Sequence, residues 1–158
     1  MEKSMKKFVV FITMVAMVFS LATMAWADSA TKEEAVAKCK EAVKLIQDKG
    51  LDAGKKEIGA KTGSFVWKDS YVFLMDLAGN VLAHPMVPEL TERKDLLTVE
   101  NSDGKFLFKE FIKLANEKGQ GWVDYMFPKP GKEDPVAKTT YIERVPGTQY
   151  LVGAGIYK

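Results

Sequence analysis

The stretch Tyr71-Val72-Phe73-Leu74-Met75-Asp76-Leu77-Ala78-Gly79-Asn80-Val81-Leu82-Ala83-His84-Pro85 decides the fold. Residues 71–76 are rich in strand formers, 77–80 carry turn chemistry, and 81–84 resume the apolar pattern, so the stretch reads as a β-hairpin. With Asp76 opposite Val81, Met75 faces Leu82, Leu74 faces Ala83 and Phe73 faces His84. Strand alternation then places Tyr71, Phe73, Met75 and His84 on one face, and Val72, Leu74, Val81 and Ala83 on the other. The small aliphatic face suits a packed helix. The aromatic face with its histidine suits a ligand or a covering loop.

Outward from the hairpin, apolar positions Ala35, Val36, Cys39, Ala42, Val43 and Ile46 recur at helical spacing over 31–49, and Gly50 follows as a stop. Ser29 or Thr31 can cap this helix, with Glu33 and Glu34 in its first turn. Residues 51–60 read as a short helix or turn. Their glycines superficially suggest a phosphate-binding loop, but Ala60 stands where that motif needs lysine, and no strand precedes it. After Pro85 and Pro88 comes an irregular stretch, then an amphipathic helix over 105–118 built on Phe106, Phe108, Phe111, Ile112, Leu114 and Ala115. Three strands follow, over 121–127, 137–145 and 150–157, the last two joined at Pro146-Gly147. The order predicts an α+β domain with a five-stranded antiparallel sheet.

The chain has 158 residues, 47% hydrophobic and 28% charged, which suits one globular domain plus an appendage. Lys3, Lys6 and Lys7 precede an apolar run over 8–24 that ends at Ala25-Trp26-Ala27, the pattern of a secretory signal peptide cleaved after residue 27. An uncleaved membrane anchor is the alternative reading of the same run. Taking the three lysines and the single glutamate of this leader from 23 basic and 21 acidic residues leaves 20 of each over 28–158. A neutral domain without basic runs has no long-range field for a phosphate backbone, so no nucleic-acid partner is expected. Cys39 is the only cysteine, so the exported domain cannot form an internal disulfide, and helical spacing puts its thiol on the apolar face. His84 is the only histidine, which argues against a histidine metal site or a Ser-His-Asp triad. No nucleophile has an evident base beside it; neither an enzyme nor a cofactor is expected.

The sequence resembles the single Cache domain, the PAS-like extracytoplasmic sensor module of bacterial chemoreceptors and sensor kinases. The likeness rests on the long first helix, the segment Asp76 to Pro85, Gly119-Gln120-Gly121-Trp122-Val123-Asp124-Tyr125, Lys138-Thr139-Thr140-Tyr141, Val145-Pro146-Gly147-Thr148, and Val152-Gly153-Ala154-Gly155-Ile156-Tyr157. It covers almost all of 28–158. The resemblance implies a PAS-like sheet with the long helix on one face, and the second helix and loops around a ligand face. It also implies a pocket for short carboxylates such as acetate, propionate, lactate or pyruvate, a periplasmic location, and a separate membrane receptor or sensor kinase as partner. A homodimer through the first helix is a further arrangement the long helix allows.

A small carboxylate needs a cation or several donors in a confined pocket with an apolar wall. Lys138 supplies the charge in this reading. His84, Tyr125 and Trp67 supply donors, and Tyr71 and Phe73 supply wall. Lys138 and Tyr141 point to opposite faces of a regular strand, so only one of them enters the pocket, and Lys138 is favoured. Met86 and Pro88 are expected at the entrance, with Arg93 as a second cation there.

Overall fold

The computed structural model describes residues 29–158; the leader expected over 1–27 lies outside the described residues. Helix α1 spans Lys32–Lys49. Thr31 caps it: its hydroxyl accepts the Glu34 N–H at 3.2 Å, and the Glu34 carboxylate accepts the Thr31 N–H at 2.9 Å. This reciprocal pair satisfies two donors that a helix start otherwise leaves open. The buried face of α1 is Ala35, Cys39, Ala42, Val43 and Ile46, and the short helix α2, Leu51–Ile58, packs beside it.

The sheet contains β1 (Val66–Trp67), β2 (Ser70–Asp76), β3 (Val81–Ala83), β4 (Gln120–Pro128), β5 (Pro135–Arg144) and β6 (Tyr150–Tyr157). Strands run in the order β1-β2-β6-β5-β4, with β3 also paired to β2 and all pairings antiparallel. The sixth strand, beyond the five expected, is the two-residue β1, too short to leave an apolar pattern in the sequence. Helix α3, Leu107–Glu117, and the long connection from β3, with short 3-10 turns at Pro88–Thr91 and Leu96–Thr98, cover the second face.

Two apolar layers sandwich the sheet. On the α1 side lie Val72, Leu74, Ala83, Tyr141, Val152 and Ala154. On the α3 side lie Tyr71, Phe73, Met75, Tyr125, Ile142 and Leu151.

The hairpin departs from the expected register at one point. Leu74 pairs with Ala83 as read from the sequence, but Met75 pairs with Val81, and a bulge lies between. Asp76 causes it. Its carboxylate accepts the N–H groups of Ala78 and Asn80 at 3.0 and 2.8 Å, and its backbone N–H donates to the Asn80 carbonyl, closing the turn one residue earlier than expected. Gly79 takes φ +96° inside that turn. The extra residue turns Val81 toward the α3 face and Leu82 toward the α1 face, reversing the faces expected for Val81 and Leu82.

Candidate functional site

Cross-strand register assembles the site. Tyr125 on β4 faces Lys138 on β5, and Lys138 faces Tyr157 on β6, so these side chains form one row on the α3 face. Lys138 leaves β5 and passes over β6 at Gly155. Its ammonium then donates to the hydroxyl of Tyr71 on β2 at 3.0 Å and to that of Tyr157 at 3.2 Å. A side chain on Gly155 would block this path: an added Cβ would stand 2.2 Å from Lys138 Cε and 2.5 Å from Thr140 Oγ1. Gly153 leaves the same kind of gap for the Phe73 ring. Two glycines at alternate positions thus lower the middle of the sheet where the site lies.

Lys138 is 3% exposed, and among the described residues it has no carboxylate in ion-pairing range. The rings of Tyr71, Tyr157 and Phe127 surround its ammonium at 4.5, 4.6 and 5.0 Å, a cation–π cage that partly replaces water. Burial nevertheless lowers its pKa to about 7, opposed only by the charge of Asp69, which itself pairs with Lys129 at 3.8 Å. Burial also pushes the Tyr71 and Tyr125 hydroxyls up and the Tyr157 hydroxyl up to about 12, so all three remain neutral donors near neutral pH.

His84 follows β3 and is held by its own turn, its Nδ1 accepting the Val87 N–H at 2.9 Å. That bond fixes the neutral tautomer with the proton on Nε2. Burial, and then the charge of Lys138, lowers its pKa to about 3. Its ring lies 4.8 Å from that of Tyr71 and stacks on Phe73 at 6.1 Å. Tyr71, Phe73, His84, Phe111, Tyr125 and Phe127 enclose a cavity of about 20 Å³ with Leu90 and Phe108 at its outer wall. The space is water-sized, walled by aromatic rings and bounded by the phenol that holds the ammonium.

Five of the six residues expected at the site converge here: Tyr71, Phe73, His84, Tyr125 and Lys138. Trp67 does not join them. On β1 it pairs with Ser70 while Val66 pairs with Tyr71, and alternation turns Trp67 into the α1-side layer. Tyr141 also faces α1, as the alternation argument requires. Arg93 is exposed and bound through two hydrogen bonds, 2.9 and 2.6 Å, to Asp95, so its charge is already met. Two participants were not singled out from the sequence. Thr140 shares a 2.7 Å hydrogen bond with the Tyr125 hydroxyl, and Tyr157 donates to the Pro128 carbonyl at 2.9 Å while accepting from Lys138.

A family model for the Cache domain matches residues 55–158. The chain belongs to the Cache domain family. Relatives include the methyl-accepting chemotaxis protein McpP of Pseudomonas putida, 37% identical over 89 residues, which are 56% of this chain and 16% of that protein. The sensor histidine kinase MctS of Rhizobium johnstonii is 29% identical over 120 residues, 73% of this chain and 26% of that one. The chain therefore spans about a quarter or less of the curated relatives it matches. Among solved structures, a Cache chemosensory domain described as a basis for carboxylic acid recognition superposes with a TM-score of 0.69 at 28% identity, covering 79% of this chain and 91% of that one. Cache domains in these relatives are sensory modules of chemoreceptors and kinases.

Two outcomes follow from the geometry. Gly155→Ala should both displace the Lys138 ammonium and press on the buried Thr140 hydroxyl, so it should lower stability and weaken ligand binding at least about tenfold. A lowered melting temperature together with weakened titration calorimetry is the expected pair of results. His84 should make the domain acid-sensitive. Its folded pKa lies below its unfolded value, so between pH 6.5 and about 3 the unfolded chain takes up a proton that the folded chain refuses. Stability should be fully present above pH 6.5 and fall with acidification at up to about 1.4 kcal/mol per pH unit from this group. Urea midpoints at pH 7, 5 and 4 should converge between wild type and His84→Gln if His84 is the source.

Proposed function

We propose that this Cache domain binds a short-chain monocarboxylate, with the carboxylate on Lys138 and the Tyr71 and His84 donors, and the alkyl end against Phe73, Tyr125 and the surrounding rings. The single observation that supports it is a buried ammonium with no carboxylate partner, held by two phenols inside an aromatic cage. A buried charge without a counter-ion is costly, and an incoming anion offsets that cost while a neutral or cationic ligand does not. The solved Cache domain described for carboxylic acid recognition supports the same ligand class.

In this reading the domain works outside the cytoplasm, delivered by residues 1–27 as a cleaved signal peptide, and presents its liganded state to a membrane receptor or sensor kinase. Intact mass of the exported protein tests cleavage. A thermal-shift screen against acetate, propionate, lactate, pyruvate, neutral amides of the same acids and alkylamines tests the ligand class. Anions alone should raise the melting temperature. Stabilisation by amides equal to that by the acids would overturn the carboxylate reading.

A further inference from the structure

A second cavity of about 270 Å³ lies outside the first, between the connection after β3, the start of α3 and the far end of the β4–β5 hairpin. Its walls include Leu96, Val99, Leu107, Met126 and Pro128. Leu90, Phe108 and Phe127 line both cavities, so these three side chains are the partition between them. All three are only partly buried, which leaves them room to change rotamer. Phe127 is also the ring 5.0 Å from the Lys138 ammonium, so the partition stands directly beside the charged end of the site.

We propose that the partition opens to join the two cavities, and that the joined pocket takes monocarboxylates with an apolar tail of four or more carbons, the carboxylate on Lys138 and the tail in the outer cavity. This rests on the carboxylate reading of Lys138 and extends it to the rest of the ligand. Together the two spaces approach the roughly 300 Å³ at which ligand pockets begin, whereas the inner one alone is far below it. The outer lining also selects the tail. Arg93, the cation at its rim, is paired with Asp95 through Nε and Nη2, so a second carboxylate would have to compete with that pair. The other polar residues of the lining are Asn101 and Ser102, both neutral. The Asn101 side-chain carbonyl accepts the Lys105 N–H at 3.0 Å, while its Nδ2 is buried without a hydrogen-bond partner among the described residues.

The test is titration calorimetry of the purified protein with acetate, propionate, butyrate, hexanoate and adipate, using wild type, Val99→Trp and Met126→Trp. Both tryptophans fill the outer cavity from positions outside the inner one, and melting curves establish which variant folds. Affinity should rise roughly fourfold per methylene from butyrate to hexanoate, with adipate weaker than hexanoate. A folded tryptophan variant should lose at least about tenfold for hexanoate and stay within about twofold of wild type for propionate. Propionate binding with hexanoate excluded would overturn the joined pocket and leave the carboxylate reading standing. Equal losses for propionate and hexanoate in the tryptophan variants would also overturn it. No binding by an acid of any length would remove both.

Discussion

Between pH 6 and pH 9 the affinity of this domain for propionate should fall about a hundredfold. The anion needs a charged Lys138, and burial has brought that lysine's pKa to about 7 in the free protein. Below this value almost every molecule carries the ammonium; above it the charged fraction drops tenfold per pH unit, and binding must restore the proton. Groups facing the ammonium do not mask this profile. Tyr71, Tyr125 and Tyr157 stay neutral through the range, and His84, with a pKa of about 3, stays neutral as well. Calorimetry at pH 7 in buffers of different ionisation enthalpy should register uptake of about half a proton per ligand bound. An affinity independent of pH from 6 to 9 would mean that Lys138 is charged throughout or does not hold the anion.

Lys138→Met should separate binding from stability more sharply than any other substitution. Methionine follows the same path over Gly155 without the charge, so carboxylate binding should become undetectable, a loss of more than about a hundredfold. The fold should gain. At pH 6 the wild-type ammonium is buried without a counter-ion, and removing such a charge commonly stabilises a core. A rise in melting temperature on the order of 5 °C at pH 6 is expected, shrinking toward pH 9. The sign follows from linkage: Lys138 has a folded pKa below its unfolded one, so wild-type stability increases with pH from about 7 toward 10.5 as the folded lysine sheds its proton first. A destabilised Lys138→Met at pH 6 would show that the two phenol contacts outweigh the cost of burying the charge.

The alternation of β2 and the periodicity of α1 made the two-faced sheet legible, because a residue's face depends only on neighbours two or four positions away. Alternation also separated Lys138 from Tyr141, and the two side chains lie on opposite faces of the sheet. Registers were harder. Asp76 reads as an ordinary turn residue, yet its carboxylate closes the turn early and forces the bulge that turns Val81 and Leu82 over. Tyr157 was within reach: the strand bounds 137–145 and 150–157 leave a loop over 146–149, and the register that follows sets Tyr157 opposite Lys138, as found. Thr140 could have been found, since it lies two residues from Lys138 on the same face. Trp67 could not have been excluded beforehand, because a two-residue strand has no alternation to read.

The place of Tyr157 has a mechanical side. Its hydroxyl ties the Lys138 ammonium to the Pro128 carbonyl, and the very next residue, Lys158, is fastened by its N–H to the Ala137 carbonyl at 2.9 Å and by its ammonium to Asp124 at 2.8 Å. The ammonium and residue 158 are thus joined through one side chain and one peptide. If a shift of the ammonium is passed along this link, a fluorophore or spin label at 158 should act as a strain gauge for the pocket, whereas the same label at Lys44, on the exposed side of α1, should register only tumbling.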